Sequence, residues 1–271
     1  MLQETRRHYE RINVLRERTD PGKVDVLLLL AGQTDVDQAL VDPALAFTAN
    51  GAIAVEIGEW WRCHRATRVI YLSSDEVLGV SDSPLAEDAP YRPTQPYAAS
   101  KAAAEIILRC YSETYGLDLT IIRSCNLVGG RQRARKLIPM AVQHLAMGEA
   151  VPVYGTGLQV RQYLAVEDLC NVLRMATDGE LPSGIYNCTS AIGFTVLEVV
   201  DVVAAALGLR ADHIHVPDRL VHDQAYAMDP SLLHSFGWKA IIAPINAITQ
   251  AAIDLCAAWR SGDDLTAPGR R

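Results

Sequence analysis

Short apolar runs alternate with longer amphipathic stretches along this chain. Val24–Leu30 is almost continuously apolar, the signature of a strand buried on both faces. Arg68–Val77 opens with a second such run, rich in β-branched and aromatic residues, and closes on the polar cluster Ser73-Ser74-Asp75-Glu76. Leu119–Arg123 repeats the pattern and leads into Ser124-Cys125-Asn126. Gln33–Asp42 reads as a polar loop. Asp42-Pro43 then opens a helix to about Arg65, because proline suits a first helical turn and the preceding aspartate can cap free N–H groups. Ser81–Thr94, rich in proline and acidic residues, reads as a loop before a helix over 97–115. Thr195–Leu207, with Thr195 as cap, and Ile245–Trp259 complete the helices. Strands alternating with helices predict an α/β fold with a parallel sheet flanked by helices.

Composition narrows the possibilities. The 271 residues are 49% apolar and 21% charged, enough for one large domain or a domain with a smaller lobe. A net charge of −7 without a basic cluster gives no footprint for nucleic acid. The longest apolar run, Val26–Gly32, is far short of a membrane span, and the charged N-terminus is unlike a signal peptide. The cysteines at 63, 110, 125, 170, 188 and 256 show no Cys-x-x-Cys spacing. They read as small buried hydrophobes of a reduced cytoplasmic protein, with neither disulfides nor a metal site.

The candidate chemistry centres on Gln95-Pro96-Tyr97-Ala98-Ala99-Ser100-Lys101. Tyr97 and Lys101, four positions apart, share a helix face. A phenol beside an ammonium is expected to have a lowered pKa and to serve as proton donor or acceptor. About twenty residues upstream, Ser74, Asp75 and Glu76 fall at the carboxyl end of a strand, where ligands bind in open parallel sheets.

These two stretches resemble the extended short-chain dehydrogenase/reductase (NAD-dependent epimerase/dehydratase) family, within it the sugar-nucleotide 4,6-dehydratases of dTDP-glucose type. The resemblance runs from about Val24 to Trp238 and includes Ala31-Gly32-Gln33-Thr34-Asp35, Lys136-Leu137-Ile138-Pro139, Pro152-Val153-Tyr154-Gly155-Thr156-Gly157 and Gln159-Val160-Arg161. It implies that Tyr97 deprotonates the sugar 4-hydroxyl, that Lys101 holds the nicotinamide ribose and that Ser74 donates to the developing carbonyl. Glu76 would remove the C5 proton and Asp75 protonate the departing 6-hydroxyl, a division of labour that separates dehydratase from 4-epimerase. Ala31 and Gly32 would border the cofactor with Tyr97 and Lys101. Gln33, Asn126, Lys136, Leu137, Tyr154, Arg161 and His222 would bind the nucleotide sugar. A homodimer through the helices at 43–65 and 97–115 is also implied, with Ala52, Ala54, Ile57 and Trp61 as a contact face or, equally, as packing against the sheet.

The chain departs from the family in places. Met1–Lys23 holds a single glycine, Gly22, whereas a nucleotide-binding half opens on a glycine-rich turn and a βαβ unit takes about 30 residues. NAD binding is therefore expected to be weakened or absent. Leu2–Arg18 reads as an amphipathic helix, or Arg11-Ile12-Asn13-Val14 as the end of an adenine-contacting strand, and the opening Met1 suggests a native N-terminus. Val24–Leu30 then becomes a sheet edge, to be covered by the N-terminal helix or by a partner chain. Leu78, Asp35 and Gln162 replace the usual tyrosine, histidine and aspartate, and Ala225 replaces an arginine expected at the diphosphate. The organisation expected is a helical segment 1–23, an incomplete Rossmann-like domain 24–130, a substrate-binding lobe 131–260 interleaved with the core, and a disordered tail 261–271. Three functions remain open: a 4,6-dehydratase-type enzyme, a redox-neutral lyase or epimerase working without NAD, and a non-catalytic sugar-nucleotide-binding partner of a full-length relative.

Overall fold

The computed structural model describes residues 24–64 and 68–261. The expectations for Leu2–Arg18, for Arg11–Val14 and for 262–271 lie outside them. In chain order the elements are β1 (Val26–Leu29), α1 (Val36–Val41), α2 (Pro43–His64), β2 (Arg68–Ser74), a 3₁₀ turn (Asp75–Leu78), α3 (Pro96–Tyr115), β3 (Leu119–Ser124), β4 (Asn126–Val128), α4 (Leu137–Ala146), β5 (Val151–Tyr154), β6 (Val160–Ala165), α5 (Val166–Thr177), β7 (Gly184–Cys188), β8 (Gly193–Thr195), α6 (Val196–Leu207), β9 (His213–Val216), α7 (Ser231–Ser235) and α8 (Pro244–Arg260). The chain forms two compact units. Among the described residues, the first takes those up to Val80, Leu85–Ser124 and Val172–Cys188, and the second takes Ser81–Pro84, Cys125–Asn171 and those from Thr189 on.

The first unit is built on a parallel sheet of order β1-β2-β3-β7. Val69 to Ser74 pair in register with Leu119 to Ser124, and Thr120 to Ser124 with Gly184 to Cys188. This register sets Ser74 and Ser124 side by side at the carboxyl end. Every residue of β3 is buried, including Thr120, Ser124 and Arg123, the last paired with Glu105 at 2.8 Å. β1 stands at the end of this sheet among the described residues, and Leu28 and Leu30 are exposed, so the expected burial on both faces is not reached.

Helices α2 and α3 cover the sheet, and Ala54, Ile57 and Trp61 are fully packed into its core with Val69, Tyr71, Leu108 and Ile121. Of the two roles open to Ala52, Ala54, Ile57 and Trp61, the last three take packing in the core over the sheet, while Ala52 is half-buried and outside that core. Gly58 lets the Tyr111 ring lie flat on α2, since a Cβ there would come within 2.5 Å of it. The polar stretch before α2 is not wholly a loop: Asp35 accepts the Gln38 N–H at 3.0 Å and caps the short helix α1. Asp42 caps α2 through the Leu45 N–H at 3.1 Å.

The second unit holds a sheet of order β4-β6-β8 and the parallel pair β5-β9. Its core joins α4, α6 and α8 through residues such as Val142, Val200, Ile248 and Leu255. Thr195 and Glu198 form a reciprocal capping box on α6. The Asp168 carboxylate accepts the backbone N–H groups of Ile241 and Ile242 at 3.0–3.1 Å. Among the described residues no helix is long and apolar enough to cross a membrane. Cys125, Cys188 and Cys256 are buried as expected, whereas Cys63, Cys110 and Cys170 are exposed.

Candidate active site

In the first unit, β2 ends on Ser74 and the chain turns at once into the 3₁₀ segment. Ser74 caps that turn, its Oγ accepting the Glu76 N–H at 3.3 Å and donating to Asp75 Oδ1 at 3.0 Å. The turn closes on Gly79, at φ +77°, where a Cβ would lie 2.2 Å from the Arg92 carbonyl, so only glycine fits. Ser74 and Asp75 are buried and Glu76 is half-buried.

Helix α3 begins with Pro96 in its first turn and Gln95 as its cap. The Gln95 Oε1 accepts the Tyr97 N–H at 2.7 Å and its Nε2 donates to Glu76 Oε2 at 2.5 Å. Tyr97 is buried with Ala39 and Ala46. Burial pushes its phenol well above the ordinary tyrosine range, the Glu76 charge adds to the rise, a hydrogen bond with Ser74 opposes it, and the Asp75 charge adds a smaller rise. Ser74, Asp75, Glu76 and Tyr97 therefore form one coupled cluster.

Lys101 corrects an expectation. Its ammonium donates to the Leu72 carbonyl at 2.7 Å and lies 4.4 Å from the centre of the Tyr71 ring. Burial brings it down from 10.5 to about 8, opposed by the Glu105 charge. The expected lowering of the Tyr97 pKa is reversed, first by burial of the phenol and then by the Glu76 and Asp75 charges, while Lys101 is engaged with the Leu72 carbonyl and the Tyr71 ring.

Two residues to which the sequence assigned no role, Asn50 and Gln95, tie the site together. Asn50, buried in α2, accepts the Gln33 N–H at 2.8 Å, donates to the Gln33 carbonyl at 3.2 Å and donates to Ser100 Oγ at 2.8 Å. A lone asparagine on the apolar side of a helix was the available signal. Gln95 is the other, and its place before a helix-opening proline marks it as a cap. Gln33 is buried, with its Nε2 on the Asp35 carbonyl at 2.6 Å. Ala31 is exposed just past β1, and Gly32 is half-buried, with Asn50 Oδ1 2.7 Å from where its Cβ would be.

These groups fit the nicotinamide end of NAD: a phenol, a buried ammonium one helical turn on, and a small-residue loop at a strand's carboxyl end. A Gly-x-Gly-x-x-Gly or Gly-x-x-Gly-x-x-Gly turn for the pyrophosphate is encoded nowhere in the 271 residues. No cluster of three or more metal-ligating side chains occurs among the described residues.

The remaining predicted residues lie in the second unit. The Tyr154 ring lies 4.7 Å beneath the Arg219 guanidinium. His222 Nδ1 is 2.5 Å from Asp218 Oδ1 and 3.1 Å from Gln159 Nε2. That contact holds the Asp218 carboxyl below its usual range. Arg161 donates to the carbonyls of Val160 and Asp223 at 2.8 Å and stacks on Tyr226 at 4.6 Å. It fastens the 222–226 segment carrying His222. Asn126 is exposed, its Nδ2 3.4 Å from the Gln162 carbonyl. Lys136 is exposed as the cap residue of α4, and Leu137 packs on the core of this unit.

Residues 8–189 match the pattern that defines the NAD dependent epimerase/dehydratase family. The low-salt glycan biosynthesis protein Agl12 of Haloferax volcanii is 33% identical over 89% of this chain and 76% of its own length. The dTDP-glucose 4,6-dehydratase of Streptomyces niveus is 32% identical over 78% of this chain, which spans only 63% of that enzyme. The crystal structure of DesIV, a dTDP-glucose 4,6-dehydratase from Streptomyces venezuelae with NAD bound, superposes with a TM-score of 0.82 at 29% identity, over 85% of this chain and 73% of that one. A UDP-glucose 4-epimerase from Thermus thermophilus in complex with NAD gives 0.85 at 25% identity, over 94% and 83%. The chain belongs to the NAD dependent epimerase/dehydratase family and shares the Rossmann-like α/β fold of its sugar-nucleotide-modifying enzymes.

Proposed function

We propose that this chain is a sugar-nucleotide-modifying enzyme of 4,6-dehydratase type, acting on a substrate like dTDP-glucose. The reading is carried by the grouping of Asp75 and Glu76 with Tyr97 at the carboxyl end of β2, where Gln95 joins Glu76 to the first turn of the Tyr97 helix. Proton abstraction at C5 and protonation of a departing 6-hydroxyl need a base and an acid side by side, and a 4-epimerase has no use for that pair. Tyr97, Lys101, Ala31 and Gly32 would hold NAD, in a site altered or weakened by the lack of a glycine-rich turn, and the cofactor would supply the hydride acceptor and later the donor. Tyr97 takes the 4-hydroxyl proton, and Ser74 donates to the oxygen as it becomes a carbonyl. The carbonyl acidifies C5–H, Glu76 removes that proton, and Asp75 in its acid form releases water from C6. Tyr154, Lys136, Asn126, Leu137, Arg161, His222 and Gln33 serve recognition. A tyrosine ring stacks on a base, and cationic side chains meet a diphosphate.

The test is mass spectrometry of dTDP-glucose incubated with the protein, with and without added NAD⁺. Loss of one water, abolished by Glu76→Gln and by Tyr97→Phe, supports the dehydratase reading. A product of unchanged mass but altered stereochemistry transfers the reading to epimerisation. Retained nucleotide binding with no product under either condition overturns the dehydratase reading in favour of redox-neutral chemistry on another substrate or of a binding role.

A further inference from the structure

A helix cap is ordinarily serine, threonine, aspartate or asparagine. At the start of α3 the cap is a glutamine, 6% exposed, and both ends of its amide are used. Only the oxygen can accept the Tyr97 N–H at 2.7 Å, so the nitrogen is directed to Glu76 Oε2, 2.5 Å away. A shorter cap would hold the helix equally well and would not reach that carboxylate.

We infer that Gln95 is a positioning residue for Glu76, tying this carboxylate to the first turn of the helix that carries Tyr97. The role given to Glu76 rests on the dehydratase-type reading. Around Glu76 stand Asp75 on its own turn, Ser74 below it, and Tyr97 and Gln95 on α3. Of these, Gln95 gives the Glu76 carboxylate an amide donor, which favours the charged form that a base requires. Because one side chain spans the distance between the turn and the helix, phenol and base keep a fixed separation.

The experiment is carbon NMR of the full chain labelled at its glutamate carboxyls, with the Glu76 resonance assigned by its loss in Glu76→Gln. Gln95→Glu keeps a cap acceptor at a helix N-terminus, where negative charge is favourable, and replaces the donor by a second carboxylate. The expected result is a Glu76 titration midpoint raised by about one pH unit or more, together with an unfolding temperature lowered at pH 7 and recovered as the pair is protonated at acid pH. Gln95→Asn, capping but too short to reach, is expected to move the midpoint the same way. In turnover of dTDP-glucose at pH 7, kcat should fall about tenfold or more while KM stays within about twofold. A Glu76 resonance that titrates in both variants as in the parent makes Gln95 a helix cap alone and overturns the inference. A parent protein without turnover fails the dehydratase reading instead, and the resonance still decides whether Gln95 governs Glu76.

Discussion

Asn50 Nδ2 donates to Ser100 Oγ at 2.8 Å, and Ser100 Oγ in turn donates to the Tyr97 carbonyl at 2.7 Å. One buried amide on α2 thus connects the loop after β1, through Gln33, to the first turn of α3.

Replacing Asn50 by leucine leaves the Gln33 backbone groups and the Ser100 hydroxyl without their buried partner. Unsatisfied groups of this kind cost about 1–3 kcal/mol each. The expected loss of unfolding free energy is about 3 kcal/mol, read as a lower urea midpoint at unchanged slope. A loss below about 1 kcal/mol would show that the loop is held by other contacts.

The buried Lys101 makes a signed prediction for pH. Its folded-state pKa is about 8, below the ordinary 10.5. The unfolded chain therefore binds the extra proton between these values, and stability rises with pH through that window. Lys101→Met removes the cost, on the order of 3 kcal/mol, of keeping the ammonium buried below pH 8. The variant should be the more stable protein at pH 7, with the difference closing as pH rises towards 10.5. Parallel stability curves for parent and variant would refute the lowered pKa.

Arg123 and Glu105 form an ion pair at 2.8 Å with both side chains essentially inaccessible. The Arg123 guanidinium also meets the Glu87 carbonyl at 3.0 Å, and the Tyr91 hydroxyl donates to Glu105 at 2.8 Å. Removing one partner alone leaves an uncompensated buried charge, so Glu105→Leu should cost about 3–5 kcal/mol. Glu105→Leu with Arg123→Met should recover most of it. Additive losses in the double variant, measured by denaturant unfolding, would contradict the pairing.

Ser74 lowers the Tyr97 pKa against burial and two negative neighbours. Ser74→Ala is therefore expected to move the acid limb of a kcat/KM profile, where Tyr97 must be deprotonated to act as base, to higher pH and to reduce turnover of dTDP-glucose about a hundredfold. Reduced turnover with an unmoved limb would assign Ser74 to the substrate oxygen alone.

Much of this architecture was readable because it is local. The strand ending on Ser74, the cap at Thr195 and the helix opened by Asp42-Pro43 follow from runs and caps within a few residues. The direction of Lys101 was not readable. Four-residue spacing puts it on the face of Tyr97, but a long side chain ends where its charge is best solvated, here on the Leu72 carbonyl and the Tyr71 ring. The helix α1 was missed because six residues carry too little periodicity, and its evidence is the Asp35 cap. The packing of Ala54, Ile57 and Trp61 could not be chosen from pattern alone, since a small apolar face suits a neighbouring helix as well as a sheet.

The register of β7 sets a timetable for synthesis. Thr120 pairs with Gly184, its partner 64 positions later (184 − 120). A nascent chain that has not yet emerged as far as Cys188 holds β3 as a bare margin. The backbone edge of Thr120–Ser124 then stands open to other polypeptides. Translation pausing before that point would prolong the aggregation-sensitive interval, and a chaperone bound to β3 would be displaced by the chain's own later strand.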